Sequence, residues 1–222
     1  MNNREISVGD IHGCFKELKS LLKTIGPIKS DDKLIFIGDY IDRGSASYEV
    51  FCYIKKFKEK YGKKIILLRG NHEDMMFDYF GLPASQRYDE GIWLDLNGGG
   101  ATLKSFQSCK EDIEKAANWL AKNTQLIFET NKAVYVHAGL YIGEKTPIPE
   151  MLWMRDELFL QGKQPKLLII GHSPVEAPLF LKDFNIVNID NGCVYGQGPL
   201  LGYDVINKII YSSDGKIKPF KI

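Results

Sequence analysis

The first third of the chain alternates between short apolar runs and longer amphipathic stretches. Apolar, β-favouring runs at Glu5–Val8, 33–37 and 64–68 predict three buried strands. Between these runs, apolar side chains recur at helical spacing over 18–25 and over Ser47–Tyr61. Strands that alternate with helices in this way predict a βαβαβ layout.

The middle of the chain, residues 73–131, has a mostly helical pattern that is broken at Gly81-Leu82-Pro83 and at Gly98-Gly99-Gly100. Apolar, β-branched runs of the earlier kind then resume at 133–136, 167–170 and 186–189. Because the strand pattern resumes, we interpret residues 73–131 as a helical cap segment inserted in one domain spanning 1–222.

The C-terminal part predicts a hairpin. Its strands cover 202–211 and 216–221, and Asp214-Gly215 supplies the turn. The chain shows no internal repeat and no low-complexity linker. The whole pattern therefore predicts an α/β domain with an insertion, rather than an array of repeats.

Composition and charge are typical of a soluble globular protein. Of the 222 residues, 44% are hydrophobic and 26% charged, and the formal net charge is +1. This balance does not indicate nucleic acid as a partner. The Lys-rich stretch 55–64 is typical of the solvated face of a helix.

Cysteine usage and hydropathy predict the compartment. The four cysteines are widely separated and form no CxxC pair, so neither a disulfide framework nor a structural zinc site is expected. No apolar run approaches the roughly 18 residues that a membrane helix needs. We expect a cytoplasmic protein that does not associate with membranes.

Polar blocks follow five of the predicted strands, and they contain all four histidines of the chain. Their letters are GDIHG at 9–13, GDYIDRG at 38–44, GNHE at 70–73, YVHAG at 135–139 and IIGHS at 169–173. Because strand ends in an α/β sheet meet at one edge, side chains from distant segments can converge there. The sequence predicts a metal-dependent hydrolytic centre at that edge.

The residue types suit two ions. Asp10 and His12 can bind the first ion, Asp39 can bridge to the second, and neutral donors complete the second site: Asn71, His137 and His172. Two ions about 3.5–4 Å apart lower the pKa of a bridging water and neutralise phosphate charge. Mixed oxygen and nitrogen donors suit Mn²⁺, Fe or Zn²⁺ better than Ca²⁺.

In order and spacing, these blocks resemble the signature of the phosphoprotein phosphatase branch of the calcineurin-like metallophosphoesterases, over residues 9 to about 195. Segments 93–106 and 188–196 are similar to the small bacterial and phage members. The resemblance implies two packed mixed β-sheets flanked by helices. It also implies two divalent ions, most often Mn²⁺, on the same ligands.

The resemblance assigns further roles. His72 would protonate the leaving alkoxide, and Asp42 would orient the His72 ring and keep it charged. Arg43 and Arg155 would clamp the phosphate oxygens, as a guanidinium fork does well. Arg69 would brace the site from outside. Asp42 with Arg43 could instead be a surface ion pair, and Arg155 a solvated helix charge.

The leading hypothesis is a phosphatase that hydrolyses phosphate monoesters by attack of a metal-bridging hydroxide, with phosphoserine and phosphothreonine in proteins as substrates. The alternative is a hydrolase of diadenosine tetraphosphate or related nucleotide polyphosphates. A catalytically silent metal-binding module is a third hypothesis. The presence of His72 and Arg43 argues against it.

Overall fold

A computed structural model describes residues 3–89, 91–157 and 162–221. The strands, in chain order, are β1 Glu5–Val8, β2 Lys33–Phe36, β3 Ile65–Leu67, β4 Ile127–Glu129, β5 Ala133–Val136, β6 Leu167–Ile170, β7 Leu179–Leu181, β8 Ile186–Asn188, β9 Leu201–Asp204, β10 Ile209–Ser212 and β11 Ile217–Pro219. They form a six-stranded sheet of order β11-β10-β9-β1-β2-β3 and a five-stranded sheet of order β4-β5-β6-β8-β7.

Each sheet combines three adjacent parallel strands with antiparallel neighbours. In the six-stranded sheet β1, β2 and β3 are parallel, with Ile6 opposite Leu34 and Ile35 opposite Ile66. The strands β9, β10 and β11 continue this sheet in antiparallel fashion. In the five-stranded sheet β5, β6 and β8 are parallel, and β4 and β7 pair antiparallel at the edges.

The α-helices are α1 Phe15–Ile25, α2 Ser47–Tyr61, α3 Asn71–Tyr79, α4 Gly99–Ser108, α5 Ile113–Asn123 and α6 Ile148–Trp153, with a π-helical stretch at Ile92–Leu96. Helix α1 ends at Gly26, which adopts a φ of 77° and donates its N–H to the Leu22 carbonyl. Within the described residues, no helix is long and apolar enough to cross a membrane.

The two sheets pack face to face through a buried apolar layer. Ile35, Ile37 and Leu68 of the first sheet meet Tyr135 and Ile169 of the second in this layer. Burial of this β-branched surface between the sheets stabilises the sandwich. A second cluster covers the outer face of the six-stranded sheet with α1, α2 and the cap helices, and a third covers the outer face of the other sheet.

The predicted fold class is confirmed, since two mixed sheets flanked by helices form the structure. Helix α2 has the bounds predicted for it, and β2 and β3 are shorter than the runs 33–37 and 64–68. The cap segment packs Trp93 and Phe106 into the same apolar cluster as α1 and α2. Whether residues 1–222 form a single domain stays a prediction, and its terminal bounds lie outside the described residues.

One local prediction was wrong, and three elements were not predicted. The helical cap segment contains strand β4, because residues 127–129 pair with β5 at the sheet edge. The run 202–211 is not one strand. It is a hairpin of β9 and β10, and Asp204 turns the chain by accepting backbone N–H groups from Ile206 and Asn207. Helix α6 and strand β7 were not predicted at all.

Candidate metal centre and active site

The carboxyl ends of five parallel strands meet at one rim of the sandwich. Strands β1, β2 and β3 of one sheet and β5 and β6 of the other each run into one of the polar blocks. The sheets are joined there, because the His137 ring nitrogen Nδ1 lies 2.8 Å from the carbonyl oxygen of Ile37. The Gly171 N–H also donates to the His137 carbonyl. The fold therefore brings the predicted ligand residues together.

The site contains two groups of donor atoms that share Asp39. Within each group, all the donor atoms lie within 4.8 Å of one another. The first contains His12 and His72 with Asp39, and the second contains His137 and His172 with Asp39. All of these side chains are buried. A carboxylate common to two donor groups is the arrangement that a bridging ligand requires.

Asp10, predicted as a ligand of the first ion, lies outside both groups but adjoins them. Its Oδ2 accepts the backbone N–H of His172 at 3.1 Å. Its Oδ1 is buried and has no hydrogen-bond partner among the described residues. This oxygen is therefore free to serve as a ligand.

Hydrogen bonds orient the histidine rings. Nδ1 of His12 lies 2.8 Å from the carbonyl oxygen of Ile41, and Nδ1 of His137 contacts Ile37 in the same way. A carbonyl can only accept, so Nδ1 carries a proton in both rings, and Nε2 of the neutral ring then presents a lone pair. Asn71 Oδ1 lies 2.9 Å from Nε2 of His137. These are the tautomers that metal ligation needs.

Several site residues adopt left-handed backbone conformations. The φ angles are 45° for His12, 52° for Asp39, 74° for Asp42, 64° for Arg43 and 65° for His172. Such angles are uncommon for residues with a side chain and cost of order 1–3 kcal/mol each, so they persist only where surrounding structure holds them. Their concentration here marks a functional centre.

Two glycines allow carboxylates to approach the backbone closely. A Cβ atom on Gly70 would lie 2.0 Å from Asp39 Oδ1 and 2.5 Å from the Asp39 backbone nitrogen. A Cβ atom on Gly171 would lie 2.1 Å from Asp10 Oδ1. The glycines of these two blocks thus make room for the ligands.

Glu73 connects the loop after β2 to the start of α3. Its buried carboxylate accepts N–H groups from Asp39, Tyr40 and Gly70 at 2.8, 2.9 and 3.0 Å. Burial, and then the negative charge of Asp39, raise the pKa of Glu73 to about 8. Glu73 holds the bridging carboxylate in place without facing the donor cluster.

The protonation balance of the cluster fits divalent cations. Burial, followed by the charges of Asp190 and Asp39, raises the pKa of Asp10 well above its ordinary value. Burial also opposes ionisation of Asp39, yet the surrounding imidazoles hold its pKa well below the ordinary range. His172 Nε2 is buried and lacks a hydrogen-bond partner among the described residues. Dications would neutralise these carboxylates and satisfy such atoms.

His72 and Asp42 form a buried pair next to the donor cluster, with Nδ1 of His72 2.7 Å from Oδ2 of Asp42. The same Oδ2 accepts the indole N–H of Trp93 at 2.8 Å, and Oδ1 accepts the Thr102 hydroxyl at 2.7 Å. These partners fix the carboxylate, and thereby the ring. Asp42 is therefore not a surface charge paired with Arg43.

Burial and nearby carboxylates have opposite effects on the pKa of His72. Burial lowers the pKa of His72 below its ordinary value, although Asp39 and Asp42 oppose this effect. Burial thus works against the charged form of the ring, and the contact with Asp42 places a proton on Nδ1. Nε2 of His72 is buried and has no hydrogen-bond partner in the described part of the chain, so it is available to a bound group.

The predicted clamps Arg43 and Arg155 line one small cavity of about 70 Å³, together with Asn71, His72 and His172. We call this space the catalytic cavity. Arg43 contacts Nε2 of His12 at 2.6 Å, and its guanidinium lies 5.4 Å from the ring centre of Tyr195. Arg155 is exposed and donates to the Ser173 hydroxyl at 3.0 Å. Two guanidinium groups thus border the space beside His72.

Arg69 lies apart from the cavity. It pairs with Asp74 of α3 at 3.1 Å and its guanidinium lies 5.0 Å from the ring centre of Phe77. It therefore supports the helix that begins with Asn71 and His72.

Sequence reasoning missed the residues that connect the cap segment to the centre. Trp93 and Thr102 are separated from Asp42 by 51 and 60 positions, and no motif links them. Tyr195 and Asn97 line the catalytic cavity without having been predicted as site residues. For Trp93 the available signal was an indole within an otherwise ordinary helical pattern, which is more typical of core packing.

The family comparison matches almost the whole chain. A model of the calcineurin-like phosphoesterase family matches residues 6–216. Bis(5'-nucleosyl)-tetraphosphatase PrpE of Anoxybacillus flavithermus is 29% identical over 217 residues, covering 85% of both chains. Serine/threonine-protein phosphatase PP1-1 of Saccharomyces cerevisiae is 51% identical over 65 residues, covering 29% of this chain and 21% of that protein.

A solved structure shares the fold. The cold-active protein tyrosine phosphatase at 1.1 Å superposes with a TM-score of 0.67 and 18% identity, covering 97% of this chain and 78% of that one. At this identity the likeness establishes the fold alone.

Proposed function

Because the chain belongs to the calcineurin-like phosphoesterase family and is a metal-dependent phosphoric ester hydrolase, we propose that it hydrolyses phosphate monoesters of serine and threonine side chains in proteins. The size of the catalytic cavity carries this proposal. Its volume of about 70 Å³ is well below the roughly 300–1,000 Å³ of sites that enclose a whole ligand. One phosphoryl group fits, and the remainder of the substrate lies outside.

Two divalent ions complete the centre in this proposal, with Mn²⁺ foremost and Fe or Zn²⁺ as alternatives. Asp10, His12 and Asp39 would hold one ion, and Asp39, Asn71, His137 and His172 the other. When bound, the ions polarise the phosphoryl oxygens and activate the attacking water.

The arginines bind and orient the phosphoryl group. Arg43 and Arg155 border the cavity, and their guanidinium forks match the oxygens of a phosphate. Arg43 contacts His12 and Arg155 contacts Ser173. We therefore expect both side chains to exchange these partners for phosphate oxygens.

His72 supplies the proton to the leaving group. His72 lines the catalytic cavity, while its Nδ1 is held by Asp42. An entering phosphate dianion favours the imidazolium and offsets the effect of burial on its pKa. As water oxygen bonds to phosphorus, the bond from phosphorus to the seryl or threonyl oxygen breaks. That oxygen takes the Nε2 proton, and alcohol and inorganic phosphate result.

Hydrolysis of dinucleoside polyphosphates is a second candidate, because the relative named bis(5'-nucleosyl)-tetraphosphatase aligns over 85% of both chains. The matched segment of the yeast serine/threonine-protein phosphatase is shorter but more similar, which supports the first candidate. Both reactions use the same phosphoryl site and differ in the leaving group.

A substrate panel at fixed Mn²⁺ separates the candidates. Phosphothreonine peptides, diadenosine tetraphosphate, simple nucleotides and p-nitrophenyl phosphate would be compared by kcat/KM, with Asp39→Asn as the inactive control. The protein phosphatase proposal expects the peptides to exceed the dinucleotide. A dinucleotide preference of orders of magnitude would reverse the assignment. No turnover of any compound by Mn²⁺-loaded protein would support the silent binding module.

A further inference from the structure

A second, larger cavity lies against the catalytic cavity. Its volume is about 670 Å³, and it is walled by the helical cap segment and by helix α3, whose first turn carries His72. Tyr88 lines the large cavity and Trp153 lines the catalytic one. The indole N–H of Trp153 donates to the Tyr88 hydroxyl at 3.1 Å, so residues that line the two spaces are in direct contact.

The large cavity also contacts the proton-transfer pair. Trp93 lines it and donates to the Asp42 carboxylate that holds His72. Trp93 thus connects the wall of the large cavity to the carboxylate that contacts Nδ1 of His72.

The walls combine aromatic faces with negative charge. Tyr79, half exposed, packs against Trp93 with ring centres 4.9 Å apart. The carboxylates of Asp89 and Asp95 line the same cavity and are exposed. Within the ranges that the structure describes, neither of them forms an ion pair.

The remaining charges of the cavity neutralise each other, because Arg87 pairs with Asp78 at 2.7 Å. The described lining thus presents two unpaired carboxylates beside aromatic rings. Such a surface attracts a cation, which gains Coulomb attraction and a cation–π contact. It disfavours an additional phosphate, which the carboxylates would repel.

We propose that this cavity binds an arginine or lysine side chain of the phosphorylated substrate. This inference rests on the proposed protein phosphatase function. Tyr88 and Trp153, which line the two spaces, are in contact, with ring centres 6.2 Å apart. Because the two linings touch, we place the basic residue close in sequence to the phosphorylated residue, within about three positions at ~3.4 Å of extended peptide each.

The test compares phosphothreonine peptides that differ in one side chain. Arginine is placed at each position up to three residues from the phosphothreonine, on either side, and is replaced by its neutral isostere citrulline in the matched peptide. For the native chain at low salt we expect kcat/KM to be about fivefold higher for the arginine peptide at one position, the scale of partly exposed ion pairs. Added salt should reduce this ratio.

Variants assign the preference to the cavity. Asp89→Asn combined with Asp95→Asn should bring the arginine-to-citrulline ratio close to one and leave p-nitrophenyl phosphate turnover unchanged. Asp31→Asn combined with Asp183→Asn is the matched control, because it removes the same charge from exposed residues outside the cavity lining. Tyr79→Leu should lower the ratio by removing an aromatic face.

The outcomes distinguish this inference from the proposed function. Phosphopeptide hydrolysis with a ratio of one at every position overturns the basic-residue site and leaves the phosphatase proposal standing. A ratio that the cavity variants leave unchanged also overturns the site. If only the dinucleotide is cleaved, and Tyr79→Leu raises its KM, a nucleoside occupies the cavity and both proposals fail.

Discussion

The Asp42 carboxylate and the His72 imidazole form a hydrogen bond of 2.7 Å in which both side chains are inaccessible to water. The bond fixes the Nδ1 edge of the ring, and His72 lines the catalytic cavity. Burial lowers the pKa of His72, and the charges of Asp39 and Asp42 oppose this effect. Asp42 thus both orients the His72 ring and affects its pKa.

Removing the proton donor should affect poor leaving groups most. His72→Asn is expected to lower kcat by about 10²–10⁴-fold for an alkyl phosphate, the usual contribution of a general acid. The loss should be much smaller for p-nitrophenyl phosphate, whose leaving group needs no proton. Asp42→Asn should show the same selectivity. An equal loss for both substrates would contradict a role in proton transfer.

Arg155 should act in phosphate binding. Arg155→Ala is expected to raise KM and the inhibition constant of inorganic phosphate by roughly 10–100-fold, the scale of a charge-assisted hydrogen bond. Arg155→Lys should recover part of the lost affinity for phosphate, since an ammonium keeps the positive charge but cannot donate two parallel hydrogen bonds as a guanidinium does. Lys182→Ala removes an exposed cation elsewhere and should change neither constant. If the inhibition constant of phosphate is unchanged in Arg155→Ala, Arg155 is a solvated surface charge that does not bind phosphate.

Metal content should depend on the shared carboxylate. We expect two ions per chain after loading with Mn²⁺, and one or none in Asp39→Asn, because Asp39 belongs to both donor groups. Elemental analysis measures the stoichiometry. Mn²⁺ added to the metal-stripped native chain should raise its melting temperature, and the rise should grow with the logarithm of the free Mn²⁺ concentration above the dissociation constant. Full metal content in Asp39→Asn would remove Asp39 from the ligand set, and Asp183→Asn is the exposed control.

Gly70 should tolerate no side chain. Gly70→Ala places a Cβ 2.0 Å from Asp39 Oδ1, so we expect a loss of about 1–3 kcal/mol in the free energy of unfolding, together with weakened metal binding. Gly100→Ala is the control, because the nearest atom to its Cβ is 3.4 Å away. The control should be neutral or stabilising by up to about 1 kcal/mol. Denaturant unfolding of both variants tests the contrast.

The Arg4–Asp32 pair should make the free energy of unfolding depend on pH in the acidic range. Although burial opposes it, hydrogen bonds from Arg4 hold the pKa of Asp32 below its ordinary value. A lowered native pKa contributes stability above the unfolded pKa of about 3.9, and the contribution is lost as the pH falls through the native value. Asp32→Asn should therefore cost about 1–3 kcal/mol at pH 7.

The difference between native chain and variant should shrink below about pH 4, as followed by urea unfolding across pH. Asp31→Asn alters the exposed neighbour and should leave the profile unchanged. A difference that stays constant down to pH 2.5 would show that the ionisation of Asp32 does not stabilise the fold.

The strand ends were predictable from the sequence because each is a local pattern. A buried strand followed by glycine and a ligand residue places Asp10, Asp39 and Asn71 at one sheet edge in any parallel arrangement. The same logic located the two later histidines. It failed for β4 and for the β9–β10 hairpin, where pairing with a distant or neighbouring strand decided the structure.

The amino-acid sequence by itself determined the ligand types, their order and the α/β class, since periodicity and strand-end chemistry are local properties. Only the tertiary structure decided how Trp93 and Thr102 hold Asp42, and that the pKa of His72 falls rather than rises. It also decided that Tyr88 and Trp153, which line two cavities, are in contact. These features depend on burial and on contacts between distant segments, which a linear pattern does not encode.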